Sequence, residues 1–251
     1  MFTCKNLFDN ENIKIISQMG NIKVLEHQMD LSVLPGNAID AYYSAKMNIR
    51  KRQVVIELND NSYTLSSGSM QWTCGNIQMT SGIKGVGDFL GKALSAKVSK
   101  ESAIKPEYKG TGLIMLEPTF KHILLENIAD WDGLVLEDGL FLACDSTVKQ
   151  TITARSNLSS AALGGEGLFN LCLQGNGVAV LESPVPREEL IVFDLKDDEL
   201  KIDGNMAIAW SKSLKFTVEK SSKSLVTSAV SGEGFVNVYR GTGKVLMAPT
   251  R

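Results

Sequence analysis

Short apolar runs alternate with glycine-containing turns along the whole chain, and three of the runs are alike. Each of the three is rich in β-branched or aromatic side chains, a composition that favours a buried strand over a helix. A glycine turn follows each run after about ten residues, as in short-stranded β proteins. The runs are residues 54–58, 123–128 and 191–195, and the turns are Ser67-Gly68-Ser69, Asp138-Gly139-Leu140 and Asp203-Gly204-Asn205.

Each glycine turn leads into a further predicted strand, beginning at Met70, Phe141 and Met206. Polar and apolar residues then alternate over 148–153 and 214–218. Such alternation is typical of an antiparallel sheet with one face in water. We therefore expect an all-β protein.

A Gly-x-Gly motif with Thr or Asn at its centre also occurs three times, each time immediately before an apolar run, and we interpret it as a turn. A glutamate precedes each copy at a nearly constant distance. The motifs are Gly110-Thr111-Gly112, Gly175-Asn176-Gly177 and Gly241-Thr242-Gly243, and the glutamates are Glu101, Glu166 and Glu233.

These elements recur in one order at a period of about 65–70 residues, which is too long for a solenoid repeat. We predict three small β modules around a pseudo-threefold axis, preceded by an N-terminal β extension that contains a hairpin of 13–16 and 22–25. Within the first module we expect residues 38–43 to be extended. The predicted boundaries are 1–30 for the extension, 31–82 for repeat 1, 99–165 for repeat 2, and 166–251 for repeat 3 with its closing strand.

One segment, residues 83–98, departs from the β pattern. Its apolar residues over 86–98 follow helical spacing, which predicts an amphipathic helix inserted between repeats 1 and 2. We expect this helix to pack on the sheet of its own subunit. The alternatives are a partner subunit or a peripheral contact with a membrane surface.

The 251 residues carry a formal net charge of −2, so a basic nucleic-acid-binding face is not expected. One basic run, Arg50-Lys51-Arg52, is interpreted as a solvated strand end or turn. The four cysteines are scattered without C-x-x-C spacing, as expected of reduced thiols. The N-terminus does not resemble a presequence and no apolar run is long enough to span a membrane, so we expect a cytoplasmic protein.

Taken together, several of these motifs resemble the altered-inheritance-of-mitochondria family of mitochondrial biogenesis proteins. The resemblance extends over about residues 31–250 and includes Gly-Ser-Met at 68–70, Gly-Glu-Gly-Leu-Phe at 165–169 and Gly-Glu-Gly-Phe at 232–235. It implies a fold like that of the tryptophan RNA-binding attenuator protein, with a short double-stranded β-helix module present three times. It also implies a ring-like trimer, and it supplies no catalytic residues.

The residues themselves give little support for an enzyme. His27 and His122 are the two histidines, which is too few for a compact histidine metal site. The chain contains no nucleophile elbow, phosphate-binding loop or dinucleotide fingerprint. We expect no catalysis, no metal and no cofactor.

Glu101, Glu166 and Glu233 are the candidate site residues, and they have two interpretations. Each could accept hydrogen bonds from its own glycine turn. Alternatively, the three could converge near the predicted axis and bind a small ligand or cation, or shuttle protons in an unrecognised enzyme, since neighbouring carboxylates raise one another's pKa. We favour the turn-forming role.

The function expected from the sequence is a non-enzymatic binding or scaffold protein that assembles with copies of itself, a trimer being favoured. The partner protein is not indicated. RNA binding is the less favoured alternative, because Arg50-Lys51-Arg52 is not repeated in the other modules.

Overall fold

The computed structural model describes residues 2–80, 105–154, 169–220 and 235–250. Within these ranges strands predominate, and one α-helix, α1 (Ala38–Lys46), is present. The predicted all-β class is therefore confirmed. In chain order the strands are β1 (Ile13–Met19), β2 (Ile22–His27), β3 (Arg52–Leu65), β4 (Met70–Thr80), β5 (Glu107–Leu116), β6 (His122–Asn127), β7 (Leu134–Leu136), β8 (Phe141–Asp145), β9 (Lys149–Ala154), β10 (Phe169–Gln174), β11 (Val178–Ser183), β12 (Ile191–Asp203), β13 (Ala207–Ser211), β14 (Lys215–Lys220) and β15 (Phe235–Met247).

The strands form two antiparallel sheets. The first has the order β1-β2-β3-β8-β11-β6, with β5 paired to β3 and β4 paired to β5. The second has the order β12-β15-β13-β7-β10-β9, with β14 paired to β15. The middle of the chain supplies strands to both sheets, and it thereby joins the N-terminal and C-terminal thirds.

The core includes the apolar runs 54–58 and 123–128, but the expectation of a buried strand is wrong for most of 191–195, where Ile191 and Val192 are exposed. The buried side chains of β3, β6 and β11 lie in the first sheet, and those of β13 and β15 lie in the second. Burial of apolar surface at roughly 25 cal/mol per Å² is the main term that stabilises such sheets. The predicted strands at 54–58, 123–128 and 191–195 accordingly fall within or largely within β3, β6 and β12.

The predicted N-terminal hairpin is confirmed. β1 and β2 pair antiparallel, with Met19 opposite Ile22, and Gly20 takes the left-handed conformation that the tight turn requires. The pairing of β2 with β3 then makes this hairpin part of the first sheet. The N-terminal extension is thus a structural component of the main fold.

The interpretation of Gly-x-Gly as a turn is correct for one copy and wrong for two. Gly175-Asn176-Gly177 connects β10 to β11, whereas the other two copies lie inside β5 and β15. In β5 the glycines allow a close approach to β4. A Cβ atom on Gly110 would lie 2.0 Å from the carbonyl oxygen of Asn76, a distance that no side chain tolerates.

The long strand pairs β3–β5 and β12–β15 share a local irregularity opposite the Gly-x-Gly motif. The β3 strand bulges at Asp60, which has a positive φ and donates its backbone N–H to Thr111 Oγ1 over 3.2 Å. The β12 strand bulges at Asp197 in the same way, and its N–H reaches Thr242 Oγ1 over 3.0 Å. The two strand pairs therefore repeat one backbone arrangement.

The expectation of an extended segment at 38–43 is wrong, because these residues belong to α1. Asp40 lies in the first turn and Lys46 in the last, where each complements the helix dipole. Asn48 follows the helix at a φ of 65° and ends it with the left-handed residue typical of helix C-termini. For so short a segment, these residues at the helix ends indicate the structure better than the weak periodicity of its apolar residues does.

The predicted helix at 83–98 lies outside the described residues. The division into repeats at 31–82, 99–165 and 166–251 stays a prediction. In the ranges given above, no helix has the length and hydropathy needed to cross a bilayer.

Candidate binding site beside helix α1

Helix α1 is attached to the first sheet through its C-terminal end. The N–H of Ile49 donates to the carbonyl of Ser44 over 2.9 Å, which is the long hydrogen bond of a Schellman motif. Arg50 then donates through Nε to the carbonyl of Ala45 over 2.8 Å. A cation at this position also interacts favourably with the negative end of the helix dipole. The helix position is therefore determined by the residues that immediately follow it.

Those residues belong to a buried ionic cluster around Glu26. One carboxylate oxygen of Glu26 lies 2.7 Å from Arg50 Nη1, and the other lies 2.8 Å from Arg52 Nη2. Arg52 is 1% exposed and also donates to Asn48 Oδ1 over 2.6 Å. The expectation that 50–52 is a solvated strand end is thus wrong for Arg52, because Glu26 on the neighbouring strand compensates its charge.

The two arginines also determine the charge of Glu26. Burial alone would raise the pKa of this carboxyl group, but the hydrogen bond from Arg50 and the nearby charge of Arg52 outweigh it. The pKa of Glu26 consequently lies below its ordinary value, and the carboxylate is ionised at neutral pH. The cluster is a fixed ion pair network that supports both α1 and the start of β3.

A cavity of about 700 Å³ lies between α1, the strands β2 and β3, and the segment 118–120. This volume falls in the range of sites for small molecules. Its rim is apolar and well exposed, formed by Met29, Leu31, Ile49 and Phe120.

The polar side of the cavity is a chain of side-chain hydrogen bonds. Gln53 Nε2 donates to Leu116 O over 3.1 Å and to Gln71 Oε1 over 3.0 Å. Gln53 Oε1 is therefore the acceptor for His27 Nε2 at 2.9 Å, so this nitrogen carries the imidazole proton. His27 thus has a structural role as a hydrogen-bond donor in the cavity wall.

The charged groups of the cavity wall are paired with one another. Arg50 is bound to Glu26, and Lys51 Nζ lies 2.8 Å from Asp30 Oδ2. The hydrogen bond from Lys51, followed by those from Ser32, lowers the pKa of Asp30 to about 2. Because Arg52 shares the carboxylate of Glu26 with Arg50, these three cations and two carboxylates leave one positive charge in excess at the wall.

The outer side of α1 is strongly apolar. Ile39 is 72% exposed and Met47 is 75% exposed, with Tyr42 and Tyr43 exposed beside them. No residue of α1 is buried. Large exposed apolar groups at helical spacing are uncommon on an isolated globule and are typical of binding surfaces.

Strand β4 is a second unusual surface. Across the described part of the chain it pairs on one side alone, with β5, so its outer edge presents unpaired backbone groups. None of its eleven residues is charged. The edge strand β12, by contrast, has seven charged residues, and the other edge strands (β1, β6, β9 and β14) each have at least one.

The site residues predicted from the sequence, Glu101, Glu166 and Glu233, all lie outside the described residues. His122 lies in β6, where burial, with a smaller contribution from Arg52, lowers the pKa of its imidazole. Among the residues described, no three metal-ligating side chains form a group that could hold an ion.

Sequence reasoning did not find the cavity, because it depends on α1. The signals of the helix were present in Pro35, Asn37, Asp40, Lys46 and Asn48, in the order typical of helix starts and ends. The pairing of Glu26 with Arg50 and Arg52 depends on the register of β2 with β3, which local patterns do not determine.

The fold and the site define a two-sheet antiparallel β protein with a cavity beside one short helix. A family model described as mitochondrial biogenesis AIM24 matches residues 43–250, and the chain belongs to this family. An uncharacterised protein of Streptococcus pyogenes serotype M6 is 28% identical over 191 residues, which are 73% of this chain and 75% of that protein. A crystal structure of a Streptococcus pyogenes protein shares the fold, with a TM-score of 0.58 and 24% identity over 82% of this chain and 90% of the other.

Proposed function

We propose that the protein is a non-catalytic binding and scaffold protein that assembles with copies of itself through the edge of β4. The observation that carries this proposal is the length and composition of that edge. Eleven residues without a charge form an exposed strand that pairs, within the described ranges, on one side only.

Charged side chains on an edge strand oppose pairing with another chain, and natural proteins use them for this purpose. The β12 edge has this protection through residues such as Lys196, Asp198 and Lys201. The β4 edge does not have it. A partner strand would satisfy the outer backbone groups of β4 and would also cover exposed apolar residues such as Met79.

Two arrangements of such an assembly are possible in principle. Pairing of β4 with β4 of a second copy is isologous and gives a twofold dimer. Pairing of β4 with a different edge of the next copy is heterologous, and it gives a ring if the rotation between copies closes and a filament if it does not. We favour a ring of three copies, in line with the trimer that the family resemblance implies. We also propose that the chain is built from three related modules, which the shared bulges at Asp60 and Asp197 support.

Binding without catalysis is supported by how the polar groups near the cavity are used. Glu26 is bound by two arginines, and Asp30 is bound by Lys51. Such pairing leaves carboxylates poorly placed to act as a general base. The same pairing of Arg50 and Arg52 favours a structural role for the basic run over contact with nucleic acid phosphates. A cytoplasmic location remains part of the proposal.

The test compares the mass of the protein in solution with that of a variant of the β4 edge. Asn76→Lys combined with Gln78→Lys adds two positive charges at exposed positions of β4. We expect the unaltered protein to be an oligomer and the variant to be a monomer of about 27.3 kDa by size-exclusion chromatography with light scattering.

The matched control adds the same charge to the other long edge. Ile191→Lys combined with Val192→Lys replaces two exposed residues of β12. This variant should keep the native mass, because the seven charged residues of β12 exclude it as the partner edge of β4. Circular dichroism and thermal unfolding of all three proteins establish that the fold is intact. A folded β4 variant with the native oligomeric mass contradicts the proposal.

A further inference from the structure

The cavity beside α1 combines an apolar rim, one positive charge in excess, and N–H donors that no acceptor in the described ranges uses. From this combination we propose that it binds an amphipathic monoanion, a fatty carboxylate being the chemical class that fits best. The contacts assigned to this ligand involve no residue of β4. The proposal therefore goes beyond self-assembly and does not depend on it.

The apolar part of the ligand is indicated by the rim. Its four large side chains are all more than half exposed around one opening, and they belong to Met29, Leu31, Ile49 and Phe120. A hydrocarbon chain in the cavity would remove them from water, which is the main source of affinity between apolar groups. The rim therefore favours a ligand with an acyl chain.

The charge of the ligand is indicated by the sum of the charges around it. The described lining has two cations, Arg50 and Lys51, and one carboxylate, Asp30. Inclusion of Arg52 and Glu26 behind the wall adds one charge of each sign, so the excess of one positive charge remains. A monoanion neutralises this excess, whereas a cation adds to it. A phosphate monoester carries nearly two negative charges at neutral pH and would reverse the sign.

Arg50 has donors available for a carboxylate. A guanidinium group has five N–H donors. Nε donates to Ala45 O over 2.8 Å, and Nη1 donates to Glu26 Oε1 over 2.7 Å and to Gln28 Oε1 over 3.3 Å. Among the residues described, no acceptor is bonded to Nη2, so the N–H groups of this nitrogen remain for a ligand. The existing bonds fix the guanidinium group, which reduces the entropy lost on binding.

Lys51 is the second cation of the lining, and its charge is opposed by Asp30. One of the three ammonium donors of Lys51 is bonded to Asp30 Oδ2 over 2.8 Å. The other two donors can reach a ligand, but the carboxylate of Asp30 repels an anion that approaches them. The balance between these two side chains should therefore determine how strongly the cavity attracts a carboxylate.

The binding test uses three probes that share one twelve-carbon chain. They are dodecanoate, monododecanoylglycerol and dodecylamine, titrated at neutral pH into the full-length protein below their aggregation concentrations and followed by isothermal titration calorimetry. We expect dodecanoate to bind at least about fivefold more tightly than the neutral ester or the amine, because it alone gains charge-assisted hydrogen bonds. A smaller advantage, or no binding of dodecanoate, overturns the proposal.

Two substitutions in the exposed ion pair test the charge argument in opposite directions. Lys51→Gln removes the excess charge and should weaken binding of dodecanoate by about fivefold. Asp30→Asn increases the excess and should tighten it by about threefold. Both variants lose the same ion pair, so a purely structural effect would change the affinity in one direction. Affinities that change in the same direction contradict the charge argument.

A further variant locates the site. Ala41→Trp fills the cavity from the side of α1 and should abolish binding of dodecanoate. The matched control is Ala38→Trp, an exposed position of the same helix that does not line the cavity, and it should bind like the unaltered protein. Unchanged binding by folded Ala41→Trp shows that dodecanoate adsorbs elsewhere, and it contradicts the assignment.

The mass of each variant in solution is recorded in parallel. A monomeric protein that still binds dodecanoate contradicts self-assembly alone, and an oligomer that does not bind it contradicts the ligand proposal alone.

Discussion

Arg52 Nη2 and Glu26 Oε2 lie 2.8 Å apart, and the two side chains are only 2% and 7% accessible to solvent. The same arginine contacts the residue that ends α1, and its backbone N–H donates to Thr119 O over 2.7 Å. One buried ion pair therefore joins the N-terminal hairpin, the helix and the segment beside the cavity. Removal of this ion pair should therefore destabilise the whole of this region.

The first prediction concerns the stability contributed by this pair. Arg52→Met leaves Glu26 buried without one of its two cationic partners, and loss of one partner of a buried pair costs about 3–5 kcal/mol. We expect the free energy of unfolding, measured in urea, to fall by about 3 kcal/mol.

The exposed pair of Lys23 and Glu57 on the same sheet is the control. Its charged groups are 3.6 Å apart and Glu57 is largely in water, so Glu57→Gln should change stability by less than about 1 kcal/mol. Equal effects of the two substitutions would show that the buried cluster has no special structural role.

The second prediction concerns pH. The pKa of His122 is lowered in the folded protein, so the unfolded chain binds more protons when the pH falls below its ordinary value of 6.5. Stability should therefore be greatest above pH 6.5 and should decrease on acidification. His122→Gln should reduce this decrease, as measured by urea unfolding at several pH values.

Glu26 also makes the folded protein less stable on acidification, but in a lower pH range. Its pKa is also lowered, so its contribution is present above its ordinary value of 4.5 and is lost as the pH falls further. A pH dependence between 6.5 and 4.5 that is identical in His122→Gln and the unaltered protein would contradict the assignment to His122.

The third prediction tests why glycines occur inside β5. Gly110→Ala places a methyl group against the backbone carbonyl of Asn76, and its φ of 142° is unfavourable for alanine. We expect a loss of about 2 kcal/mol or more in thermal or urea unfolding, because β4 must move away from β5.

Gly139→Ala is the matched control for this substitution. Gly139 also has a positive φ, but nothing lies within 4 Å of the position of an added Cβ. The expected cost is about 1 kcal/mol, from the left-handed conformation alone. Equal costs at Gly110 and Gly139 would indicate that close approach of the strands is not the reason for the glycine.

Much of the sheet architecture could be predicted from the sequence because strands and turns have local signals. Apolar runs of β-branched residues predicted β3 and β6, and Gly20, Gly139 and Gly204 marked turns between strands. The turn prediction was wrong for two Gly-x-Gly copies because glycine is required both in tight turns and where two strands approach closely. Only the register of the strands in three dimensions distinguishes the two cases.

The candidate site was harder to predict because it depends on contacts between distant segments. Arg52 belongs to a run that looks solvated, and only its pairing with Glu26, 26 positions earlier, makes its burial favourable. The short helix α1 was missed because its apolar residues also suit a strand. The lack of charged residues in β4 was visible in the sequence. It indicates a pairing surface only because β4 lies at the edge of the sheet, and the sequence did not show that position.

The central claim is self-assembly through β4, and the native mass of the unaltered protein tests it most directly. Non-denaturing mass spectrometry should give an integral multiple of 27.3 kDa, with three copies as the favoured stoichiometry. A stable monomer at all concentrations tested would contradict the claim, since it would mean that the uncharged edge of β4 has no partner in another copy.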